Sequence, residues 1–83
     1  MKLIYFAWVR EKAGKSNEDI ARPDGVTTVG QLIDWLSARD EKMAAAFSDP
    51  SVIRAAVNQE HVHLDHILGD DDEIAFFPPV TGG

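Results

Sequence analysis

Apolar and polar positions divide the chain into a hairpin, a helical stretch and a return to strands. Lys2 to Val9 is rich in Leu, Ile, Tyr, Phe, Trp and Val, a composition that predicts a strand. Leu3, Tyr5 and Ala7 share one of its faces, and Ile4, Phe6 and Trp8 share the other. Because both faces are apolar, part of the second must be covered by the fold or kept for a partner. Arg10 to Asn17 is polar and contains Gly14, as a hairpin connection would. Glu18 to Arg22 then predicts a short return strand with Ile20 inward, and Pro23-Asp24-Gly25 a turn.

The period changes at Thr28. Val29, Leu32, Ile33 and Leu36 fall at i, i+3, i+4 and i+7, which predicts a helix with one apolar stripe and Trp35 beside it. Thr28 as N-cap and Gln31 three residues later form a capping box. The pattern weakens at Arg39-Asp40 and resumes over Met43–Phe47, predicting a second short helical segment or a kink, which Ser48-Asp49-Pro50 ends. Strand character returns in Ile53–Asn58, followed by a tight connection at Gln59-Glu60 and a short continuation at His61–His63. Asp65–Gly69 reads as a turn, Asp70–Asp72 as a polar loop, and Glu73–Phe77 as the last strand. One main helix packed across a mixed sheet, with the first and last strands central and parallel, satisfies this order. That is an α+β arrangement of the β-grasp kind. Along the last strand, Ile74 and Phe76 would face the helix and Ala75 and Phe77 would face away. Phe77 then either stands exposed as a docking anchor or packs on a neighbouring strand or loop.

After Phe77 the pattern stops. Pro78-Pro79 cannot continue a ladder and projects in an extended form, and Val80-Thr81-Gly82-Gly83 follows. This divides the chain into a carrier domain, residues 1–77, and a flexible tail, residues 78–83, able to span about 20 Å when fully extended. Gly82 and Gly83 have no side chains, so a terminal carboxylate would sit on a thin tip that fits a narrow channel.

Composition narrows the chemistry further. With 83 residues there is one modest core. There are no cysteines, which removes a disulfide frame, thiolate metal sites and a thiol nucleophile. The net charge of −6, from 14 acids and 8 bases, is the wrong sign for nucleic acid and suits docking on a basic protein surface. No segment has the pattern of a signal peptide or the length of a membrane span, so a cytoplasmic protein without membrane contact is expected. His61, His63 and His66 form a loose cluster at no established ligand spacing, and no metal site is expected. The acidic run at Asp70–Glu73 lacks the alternation of a calcium loop, and no phosphate-binding glycine loop is present. No nucleophile sits in a catalytic setting. What remains is the C-terminal carboxylate. It is a poor acyl donor until adenylated, and a sulfur donor can then convert it to a thiocarboxylate.

Tyr5-Phe6-Ala7, Val9-Arg10-Glu11, Ala56-Val57-Asn58-Gln59 and the block from Asp71 to Gly83 resemble the ubiquitin-like sulfur carriers that form the small subunits of molybdopterin synthases. The resemblance runs over essentially the whole chain and is most specific in its final block. It implies a β-grasp fold that binds no cofactor. It also implies an E1-like enzyme that adenylates Gly83 with ATP, and a sulfurtransferase system that makes the thiocarboxylate. The large synthase subunit would then accept the tail, pass sulfur to cyclic pyranopterin monophosphate to build the molybdopterin dithiolene, and form a heterotetramer with two carriers. The catalytic groups would lie on that partner. By position, Phe6, Arg10, His61 and Phe77 would share the docking face, with Pro78, Pro79, Val80 and Thr81 entering the partner. Rival readings are a sulfur carrier for thiamine or tRNA thiolation, a ubiquitin-type modifier, and a plain interaction module. The Phe-Phe-Pro-Pro approach favours the pterin role.

Overall fold

A computed structural model describes residues 1–79. Its elements are β1 (Lys2–Tyr5), α1 (Ala7–Ala13), β2 (Asn17–Asp19), α2 (Val29–Ser37), α3 (Glu41–Ala46), a 3-10 turn at Pro50–Val52, β3 (Arg54–Val57), β4 (Glu60–Val62) and β5 (Glu73–Phe77). The five strands form one sheet in the order β2-β1-β5-β3-β4. β1 and β5 run parallel, in register from Lys2 with Glu73 to Tyr5 with Phe76, and the other neighbours are antiparallel. This is the expected β-grasp arrangement, with the last strand at its centre.

The helices cover one face of the sheet. α2 begins as its sequence requires: the Gln31 N–H donates to the Thr28 hydroxyl at 3.2 Å, and the Gln31 side chain accepts from the Thr28 N–H at 3.1 Å. Its stripe of Val29, Leu32, Ile33 and Leu36 is fully buried. α3 is capped by Asp40, whose carboxylate accepts from the Met43 N–H at 2.8 Å, and it buries Met43 and Ala46. Under the helices lies an aromatic cluster. Tyr5 and Phe76 stack with ring centres 6.1 Å apart, and Phe47 meets Phe76 edge-on at 5.1 Å.

Three sequence expectations need correction. The first strand ends at Tyr5 rather than Val9, because the next residues form α1 inside the hairpin connection. Ala7 takes φ 53°, which turns the chain out of the sheet; Val9 and Ala13, four apart, then bury on the core. Gly14 closes α1 at φ 79°, its N–H donating to the Arg10 carbonyl, a left-handed cap that glycine adopts without a Cβ clash. Second, the expected main helix and short segment are present as α2 and α3, and α1 makes a third helix among the described residues that the sequence pattern did not predict. Third, the β3–β4 turn is Asn58-Gln59, one residue earlier than expected, since Val57 pairs with Glu60. Both turn residues have positive φ, 51° and 72°, the signature of a tight hairpin turn that matches strand twist.

Candidate functional site

Among the described residues, no helix or strand covers the face of the sheet away from the helices. Register places Ile4, Ala75, Ala56 and His61 in one row across β1, β5, β3 and β4. The next row toward the tail places Arg54 beside Phe77. Ile74 and Phe76 are fully buried on the opposite side, whereas Ala75 and Phe77 are half-buried, so the alternation expected along β5 holds. Phe77 keeps partial exposure and also packs on β4, its ring centre 5.3 Å from that of His61.

Phe6 stands at the same end of the sheet. Its N–H donates to the Phe76 carbonyl at 3.0 Å, one step beyond the last β1–β5 pair, and its side chain remains 47% exposed. An aromatic that keeps half its surface in water at the end of two central strands is a candidate anchor. Arg10 lies one helical turn on, its N–H donating to the Phe6 carbonyl at 3.3 Å and its side chain exposed. Pro78 and Pro79 follow directly and are half-buried. The structure therefore brings Phe6, Phe77 and His61 to one face and one end, with Arg10 at its margin. Val80, Thr81, Gly82 and Gly83 lie outside the described residues.

His61 and His63 lie on the same sheet face and line one cleft at its edge, while His66 is exposed on the segment that follows β4. Among the described residues, no three His, Asp or Glu side chains are grouped to hold a metal ion. No helix among them is long and apolar enough to cross a membrane.

Two features escaped the sequence reading. One is Arg54, a lone cation at the start of the apolar run Arg54–Val57, and that isolation was the signal available. The other is a polar triad at the opposite edge. The Tyr5 hydroxyl donates to Glu18 Oε2 at 2.7 Å, and Arg39 donates to both Glu18 oxygens at 3.0 and 2.8 Å. Burial alone would raise the Glu18 carboxyl, but Arg39, Tyr5 and Lys15 together hold it below the usual carboxylate range. Burial first, then the bond to Glu18 and its charge, push the Tyr5 hydroxyl far above its ordinary value. The triad fastens β1, β2 and the α2–α3 junction to one another. The Asp72 carboxyl is likewise held low, by the Gly69 N–H and the Asn58 amide, which fix the loop entering β5.

A five-stranded mixed sheet with its last strand central and parallel to the first, and helices packed across one face, is the ubiquitin-like β-grasp fold. The ThiS family profile matches residues 3–83, and the chain belongs to that family. It is 43% identical over 83 residues to the molybdopterin synthase sulfur carrier subunit of Escherichia coli, covering 100% of this chain and 99% of the relative. It is 33% identical over 91 residues to small archaeal modifier protein 3 of Haloferax volcanii, covering 100% and 98%. The crystal structure of SAMP1 from the same organism superposes with a TM-score of 0.74 at 29% identity, covering 100% of this chain and 98% of that one.

Proposed function

We propose that this chain is the sulfur carrier subunit of a molybdopterin synthase. The observation that carries the reading is its end-to-end similarity to a relative of that name, through the Gly-Gly terminus. An E1-like enzyme would use ATP to adenylate Gly83: a carboxylate oxygen attacks the α-phosphorus and pyrophosphate leaves. A persulfide of a sulfurtransferase system then attacks the glycyl carbonyl carbon and AMP leaves; a thiol cleaves the resulting acyl disulfide, taking the donor sulfur into a new disulfide and releasing the thiocarboxylate. Docked on the large synthase subunit through Phe6, Arg10, His61 and Phe77, the carrier would insert Pro78 to Gly83. Its sulfur passes to cyclic pyranopterin monophosphate, and water restores the carboxylate. An unhindered glycine carbon suits both displacements, and the partners supply the catalytic groups. Because one face would serve the activating enzyme and the large subunit, the two complexes would exclude each other.

A second reading is favoured by the relatives named as modifiers, in which a lysine amine displaces AMP and forms an isopeptide bond. Intact mass after incubation with ATP, an E1-like enzyme and a sulfur source separates the two. Replacement of one oxygen by sulfur, mapped to Gly83, is expected. No mass change, with an activating enzyme competent on another carrier, overturns the sulfur reading, and lysine adducts found in its place establish the modifier.

A further inference from the structure

Beyond the last β3–β4 pair, Ala55 with Val62, the ladder ends and a cleft of about 470 Å³ opens beside the sheet face. Its lining includes Arg54, His61, His63 and the apolar Pro50 and Leu64. Continuing the register by one step sets Arg54 opposite His63, while its pair on the other side is Phe77. The cleft is therefore continuous with the docking face: Arg54 adjoins the Phe77 strand position, and the His61 ring lies against the Phe77 ring.

The fold makes little use of the Arg54 charge. One guanidinium nitrogen, Nη1, donates to the Ser51 and Ile53 carbonyls at 3.1 and 3.4 Å. The ion pairs among the described residues join Glu18 to Lys15 and Arg39, Asp40 to Arg39, and Asp70 to Arg22; none includes Arg54. The carboxylate next to the cleft in sequence, Asp49, is occupied by the Ser51 N–H and hydroxyl at 3.1 and 2.6 Å. A guanidinium presents a planar fork of donors matched to a carboxylate. In a chain of net charge −6, a fixed cation with two imidazoles beside an aromatic anchor is a local reversal of sign.

We propose that this cleft receives an Asp or Glu side chain of the protein that docks on the Phe77 face. Arg54 makes a bidentate pair with it, and His61 and His63 offer further N–H donors. A single carboxylate matches the one guanidinium fork the cleft offers, whereas the double charge of a phosphate dianion would be met by only one fixed cation in its lining. The proposal rests on the carrier reading above and fixes the register of docking: apolar contact at Phe6 and Phe77, and an ion pair at Arg54.

The test is the Kd of the complex with the large synthase subunit, measured for the full chain and for Arg54→Glu and Arg54→Gln at low and high salt. Arg54→Glu should weaken binding about 10-fold at low ionic strength, chiefly through the association rate. Screening should shrink this to about 2-fold near ~0.5 M salt, and Arg54→Gln should fall between. Arg54 is exposed, so both variants should melt as the parent does. Parental affinity and salt dependence in Arg54→Glu would overturn the proposal alone. So would shifts of the Arg54, His61 and His63 resonances by millimolar inorganic phosphate with no loss of affinity in Arg54→Glu, which would make the cleft a free-anion site. Failure of the parent chain to bind the large subunit overturns the carrier reading and this proposal with it.

Discussion

Truncating Phe6 to alanine separates the docking function of the sheet face from its structural one. A phenylalanine side chain exposes about 200 Å² when free, so the 47% still exposed at Phe6 corresponds to about 95 Å². Burying that area against a partner at about 25 cal/mol per Å² yields ~2.4 kcal/mol, and the part an alanine would retain reduces it to about 1.5–2 kcal/mol. The expected loss of affinity for the large subunit is therefore about 10- to 30-fold. The other half of the ring is buried in the free chain, and its removal should destabilise the fold by at most ~2 kcal/mol. That would lower Tm by at most about 8–16 °C in a domain of this size. Backbone geometry should survive, because the Phe6 bond to Phe76 is made by the main-chain N–H. Calorimetric titration at 20 °C keeps both proteins folded, and thermal unfolding measures the structural cost separately. Parental affinity in a folded Phe6→Ala would refute the anchor role. A loss of affinity matched by local unfolding of α1 in the free variant would show that Phe6 acts only through the fold.

Two further outcomes follow from the geometry. Glu18 has its carboxyl held below its ordinary value near 4.5, so its pairing stabilises the fold fully above that pH and is lost as pH falls through the lower folded value. Urea unfolding of Glu18→Gln should show a lower plateau at neutral pH and a shallower decline below about pH 4.5 than the parent; parallel curves would show that Glu18 is not linked to folding. Gln59 is a non-glycine residue at φ 72° in a two-residue hairpin turn, so Gln59→Gly should raise stability by about 0.5–1 kcal/mol, read as an increase in urea midpoint. A lower midpoint would mean that the strain is already relieved by contacts of the glutamine side chain.

Where one local rule acted alone, the chain was legible. Thr28 and Gln31 cap α2, its four stripe residues are buried, and β5 spans Glu73–Phe77 as its alternation required. The misreading at residues 6–9 came from two rules in conflict. Aromatic and β-branched composition argued for strand, while Val9-Ala13 and the following Gly14 carried a helical period and its stop. Tertiary burial of Val9 and Ala13 decided for helix. The docking face was half legible, because Phe77 could be placed by parity but Arg54 could be placed only by sheet order. Its partners across the rows, Phe77 and the His63 position, are more than 20 and 9 residues away in sequence, respectively. The Tyr5–Glu18–Arg39 triad was invisible for the same reason: its members are separated by 13 and 21 residues.

The position of β5 explains why a small domain can serve as a handle. A carrier tail must search a partner channel while its root stays fixed, because error at the root is amplified along the tail. β5 is the central strand of the sheet, with four pairs to β1 and four to β3. Its inward residues, Ile74 and Phe76, are fully closed off, and Phe76 is clamped between Tyr5 and Phe47. The outward residue at its end, Phe77, keeps partial exposure, and Pro78-Pro79 removes the donors that would let the ladder continue. Core packing at Phe76 and the outward Phe77 are thus successive residues of one central strand. In the proposed carrier, partner recognition at Phe77 would set where residue 78 begins, and binding energy at the face would be converted into placement of Gly83.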